Sequence, residues 1–217
     1  QMELLARALE PGGAADSDAV ARWIGAELPA VVESDWRPAT ISPEAFATLA
    51  ARAYPLHPTA LVALPYLFRR LAQNERSLFA YLASHEPFGF QEFLRRHAPG
   101  DTVRLADLFD YLAANFQGRL YASLRARLIT ETLERLEQAA DKLGPLERDV
   151  LKTVGLINWL AEVSPLSAAE PELYAALVAP NRPPARVGEA LERLRKPSLV
   201  VFRRYNRTYA VWQGSDV

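Results

Sequence analysis

Eight cations crowd one short stretch near the C-terminus: Arg182, Arg186, Arg193, Arg195, Lys196, Arg203, Arg204 and Arg207, opposed within it only by Glu189 and Glu192. In a chain of net charge −1 this is a local basic surface rather than a global bias. Such a surface suits a DNA phosphate backbone, because each neutralised phosphate releases counterions. The competing reading is that these side chains only solvate an exposed hairpin. A second cation of interest, Arg76, stands at the start of a helical run, next to the positive end of the helix dipole and so in an unfavourable place for a charge of its sign. Arg69 and Arg70 lie one helix earlier.

Other chemistries lack their residues. No G-x-x-x-x-G-K-[ST] loop occurs, and the ten glycines never form G-x-G-x-x-G, so the backbone amides that cradle a phosphate are missing. His57, His85 and His97 are too scattered for a metal site, and His57 reads as a cap or packing group. Glu131, Glu134 and Glu137 lie beside Arg127 and Arg135 and read as a solvated, salt-bridged helix face. Ser77, Ser123, Ser164 and Ser167 have no histidine nearby in sequence and no G-x-S-x-G elbow. The chain is therefore expected to be non-catalytic, with no cofactor of its own.

The 217 residues, half of them apolar, suffice for one large or two small cores. The absence of cysteine excludes a disulfide framework and thiolate zinc sites, and fits a reducing cytoplasm. The longest apolar stretch, Thr59 to Phe68, is about half of the roughly 20 residues a membrane span needs. It is interrupted by Pro65 and reads as a buried helix, so no membrane partner is expected. Gln1 and the Trp212 to Val217 terminus read as cuts from a longer chain, with no signal segment at the start.

Apolar residues recur at three- and four-residue spacing nearly to residue 196. This predicts helices at 2–10, 17–33, 43–53, 58–72, 75–84, 89–97, 104–116, 122–142, 146–162, 171–178 and 185–196. Ser42-Pro43, His57-Pro58, Gly144-Pro145 and Glu170-Pro171 place proline where its fixed φ suits a first turn. Pro65 should kink or split its helix. Phe79, Tyr81, Phe88, Phe90 and Phe93 recur at roughly helical spacing and read as core. After Pro197, Leu199 and Val201 against Tyr209 and Val211 alternate around Tyr205-Asn206-Arg207, as a short antiparallel hairpin should. The fold expected is mainly α, with a multi-helical domain over 1–143 and, over 144–217, the element order of a winged helix-turn-helix closed by a β-hairpin.

Two stretches resemble parts of known ATPases. Tyr54-Pro55-Leu56-His57-Pro58, with Leu61, Leu64, Leu67 and Asn74-Glu75-Arg76-Ser77-Leu78-Phe79, resembles the helical lid after the nucleotide core of large bacterial AAA+ and STAND-like P-loop ATPases, including those of phage defence. Leu151-Lys152-Thr153-Val154-Gly155-Leu156-Ile157, with Phe202-Arg203-Arg204-Tyr205 and Tyr209-Ala210-Val211-Trp212, is similar to their downstream winged helix. The resemblance implies that Arg76 senses the γ-phosphate of ATP, with Asn74, Arg69 and Arg70 as the other candidates. It also implies Mg and ATP in a parent protein, a P-loop core as partner and homo-oligomerisation through that parent. The winged helix would then contact double-stranded DNA or a partner protein. The alternative is a stand-alone winged-helix transcriptional regulator whose helical region binds a ligand or dimerises.

Overall fold

Proline marks several helix starts. In the computed structural model, which describes residues 2–9, 17–71, 75–122 and 126–213, Ser42 caps α4 (Pro43–Arg52) by accepting a hydrogen bond from the Ala45 amide. His57 caps α5 (Pro58–Arg70), and Gly144 precedes α10 (Pro145–Leu160). The remaining helices are α1 (Met2–Leu9), α2 (Ser17–Ala26), α3 (Leu28–Val32), α6 (Glu75–Ala83), α7 (Phe90–Arg96), α8 (Leu105–Ala122), α9 (Arg127–Gln138), α11 (Glu170–Leu177) and α12 (Pro184–Arg195). Strands β1 (Val200–Arg203) and β2 (Thr208–Val211) follow. The protein is thus mainly α-helical with one short antiparallel hairpin. No helix among the described residues is long and apolar enough to cross a membrane.

Four elements differ from expectation, one being the helix expected at 122–142, which spans only Arg127–Gln138. The helix expected at 17–33 breaks at Glu27, because Pro29 supplies no amide to the preceding turn and restricts Leu28. α5 runs unbroken through Pro65: residues 58–64, Leu67 and Phe68 are buried, and packing on several sides outweighs one missing hydrogen bond. α8 continues past 116 to Ala122 through Gly118, anchored by the buried Leu120.

The chain forms two compact units, Gln1–Leu108 and Phe109–Val217. The first is built around α5, against which α1, α3 and α6 pack. The loop before α5 is pinned to the segment before α8: the His57 amide donates to the Val103 carbonyl at 2.9 Å, and the Val103 amide donates to Pro55 at 2.8 Å. Tyr81, Phe90 and Phe93 are core, as their spacing suggests. Phe79 and Phe88 are not, being 51% and 48% exposed. Phe88 lies in the turn before α7 with φ +58, so helical periodicity does not govern where its ring points.

His57 is fully buried. Its Nδ1 lies 2.8 Å from Thr59 Oγ1 and accepts from the Thr59 amide, while Nε2 is 3.6 Å from a Glu27 carboxylate that also binds Arg104. Burial, and then the nearby Arg104 cation, hold its pKa well below the ordinary 6.5. The folded state keeps this imidazole neutral while the unfolded chain binds a proton below about pH 6.5, so stability is lost as pH falls from there. The slope from this one group is at most about 1.4 kcal/mol per pH unit. Urea unfolding of wild type and His57→Gln at pH 7, 6 and 5 checks this: the variant is expected to have the shallower pH dependence, and parallel curves would refute the assignment.

In the second unit α10 is the central helix, contacted by α9, α11, α12 and β2. α9 comes close at Gly155, where an added Cβ would meet Thr132 Oγ1 at 2.5 Å and Cγ2 at 2.8 Å. Glycine is there for close approach. Arg148 clamps the α9–α10 turn, donating to the Leu143 and Ala140 carbonyls. Asn158 holds the hairpin on α10, donating to the Tyr209 carbonyl at 3.0 Å and accepting from the Val211 amide at 3.1 Å.

The hairpin register pairs Val200 with Val211 and Arg203 with Thr208. Simple inward–outward alternation does not hold: Leu199 and Val200 are both buried, as are Tyr209, Ala210 and Val211. The segment before α11 contributes a further strand-like contact not foreseen from sequence. Ala169 bridges Thr208, and the Tyr209 amide donates to the Ala168 carbonyl at 2.8 Å.

Candidate nucleic-acid interface

A tight turn after α11, closed by hydrogen bonds between Ala179 and Arg182, leads to Pro183 and Pro184 at the start of α12. Val187, Ala190, Leu191 and Leu194 recur at helical spacing and are buried, as an amphipathic helix docked on α10 requires. This docking leaves Arg186, Glu189 and Arg193 outward, with Glu192 and Lys196 beside them. Pro197 ends the run, and Ser198 at φ +56 turns the chain into β1. The turn between the strands is Arg204-Tyr205-Asn206-Arg207, all exposed.

The eight cations foreseen from sequence divide into two groups. Arg182 pairs with Asp149 at 2.8 Å, Arg193 pairs with Glu147 at 2.6 Å and also approaches Glu189, and Arg195 pairs with Glu192. Among the described residues, Arg186, Lys196, Arg203, Arg204 and Arg207 have no carboxylate within 4.0 Å. Glu189 and Glu192 are therefore not the only opposing charges: Glu147 and Asp149 on α10 reach the same surface. The first turn of α10 faces α12, which no local pattern in the 182–207 stretch reports.

Electrostatically, the outward face of α12 is mixed and the hairpin turn is not. Arg203, Arg204 and Arg207 carry one sign at the exposed end of the hairpin. Arg207 holds φ +56, a left-handed conformation usually taken by glycine or asparagine. Thr208 Oγ1 donates to Asn206 Oδ1 at 2.9 Å across the same turn. Arg203 also borders a pocket of about 360 Å³ together with Asn158, Glu162, Asn206 and Thr208.

The candidate sensor residues lie in the first unit. Arg69 and Arg70 occupy the last turn of α5, with the Arg69 guanidinium carbon 4.9 Å from the centre of the Tyr66 ring. Arg76 is in the first turn of α6, and Asn74 lies outside the described residues. No group of three or more potential metal ligands occurs among the described residues. No protein-family model, curated protein or solved structure matches this chain.

Proposed function

We propose that the C-terminal module is a duplex DNA-binding element that grips the phosphate backbone through its hairpin wing. The observation that carries this reading is the cluster of Arg203, Arg204 and Arg207, exposed and without a carboxylate partner among the described residues. Arginines already neutralised by a neighbour contribute less to counterion release, so the five unpaired cations set the expected salt dependence. At about −0.9 per neutralised phosphate, five contacts give a log–log slope of about −4.5. Fluorescence anisotropy of labelled duplex across a salt series measures it, and absence of binding at low salt would overturn the proposal.

In the same reading, the helices ahead of this module serve as the lid of a larger ATPase, and Arg76 reports the γ-phosphate to it. Arginine suits that role through its permanent charge and forked donors. In an ATP-hydrolysing chain containing this segment, Arg76→Ala is expected to lower turnover at least about tenfold while leaving the melting temperature within a few degrees. Normal turnover would remove the sensor assignment.

A further inference from the structure

We propose that Tyr205 stacks on a nucleic-acid base, and that the wing therefore prefers DNA with an uncovered base face beside a duplex, such as a gap, over an uninterrupted duplex. This rests on the reading that the wing binds DNA and names the substrate class for that site.

Tyr205 is 82% exposed, more than any other large apolar or aromatic side chain described. The other rings of the hairpin are in use: Phe202 and Tyr209 pack with centroids 5.0 Å apart, and Tyr209 is buried. A ring this exposed adds little to folding, since stabilisation follows apolar area removed from water. The turn does not depend on it either, being shaped by Arg207 and by the Thr208–Asn206 hydrogen bond.

Its neighbours indicate the ligand. Tyr205 follows Arg204 and lies two residues before Arg207, so an aromatic face sits among cations suited to phosphates. A nucleotide is the chemistry that uses both, a base for the ring and phosphates for the guanidinium groups. Inside an intact duplex each base face is covered by the next pair. One exposed ring finds a partner only where the stack is interrupted, and a single ring serves one base rather than a long single strand.

The test uses the full chain and two labelled duplexes of identical sequence and ends, one intact and one with a three-nucleotide gap, the base at the gap edge being 2-aminopurine. Wild type is expected to bind the gapped duplex about tenfold more tightly and to change the 2-aminopurine emission. Tyr205→Ala should bind both duplexes equally, with affinity for the intact one unchanged and the emission change lost, and Tyr205→Phe should keep the preference. Equal binding by wild type, or a preference that survives in Tyr205→Ala, would overturn the stacking role while leaving the phosphate reading standing. Absence of binding to either duplex would overturn both.

Discussion

Reversing Arg203, Arg204 and Arg207 together to glutamate is expected to weaken duplex DNA binding at least about 100-fold at 50 mM salt and to flatten the salt slope from about −4.5 to about −2. The slope is the more informative quantity. Three lost phosphate contacts at about −0.9 each remove about 2.7 from it, whereas a variant that merely unfolded would lose binding without that graded change. All three side chains are exposed, and the one residue of the three within the strand register, Arg203, pairs with Thr208 through its backbone, so the fold should persist. The comparison that separates contact from general charge is Arg195→Ala. Arg195 pairs with Glu192, so its removal is expected to change affinity less than about threefold. Undiminished binding by the triple variant would exclude the wing as the DNA contact and move attention to Arg186 and Lys196.

The second large effect concerns the core that carries the wing. Gly155→Ala is expected to destabilise the second unit by about 1–2 kcal/mol, although alanine is the better helix former. The helix-propensity gain is about 1 kcal/mol. Against it, the new methyl would lie 2.5 Å from Thr132 Oγ1, 2.8 Å from its Cγ2 and 3.1 Å from its Cβ. Thr132 is fully buried and its hydroxyl already donates to the Leu128 carbonyl at 2.6 Å, so it has little room to turn aside. Overpacking of this kind costs about 1–3 kcal/mol, and backbone separation of α9 from α10 places the effect toward the upper part of that range. At about 4 °C per kcal/mol for a unit of this size, the melting temperature should fall by roughly 4–8 °C. Adding Thr132→Ala removes the two shortest contacts and should restore part of the loss, a coupling that a double-mutant cycle measures. A melting temperature at or above wild type would show that α9 yields freely.

Local signals in the chain account for much of the secondary structure. Ser42-Pro43, His57-Pro58 and Gly144-Pro145 start helices because proline's restricted φ and missing amide cost nothing in a first turn. The spacing of Val187, Leu191 and Leu194 identified the buried stripe of α12, and the turn residues after Pro197 identified the hairpin. Prediction failed where packing outweighed a local rule. Pro65 does not split α5 because the helix is anchored along its length by buried side chains. Phe79 and Phe88 share a spacing with core aromatics yet remain exposed, since α6 and the turn before α7 bury other faces.

The candidate site divides in the same way. That basic residues concentrate around one helix and one hairpin is legible along the chain, because composition and hydrophobic period are properties of neighbouring residues. Which of those cations lack a carboxylate partner among the described residues follows from packing between helices. Asp149 and Glu147 neutralise Arg182 and Arg193 because α10 packs against α12, and an ion pair depends on distance in space rather than along the chain. The same is true of Asn158, whose amide fastens β2 to α10, and of Tyr205, whose exposure follows from the neighbouring rings being the ones that pack.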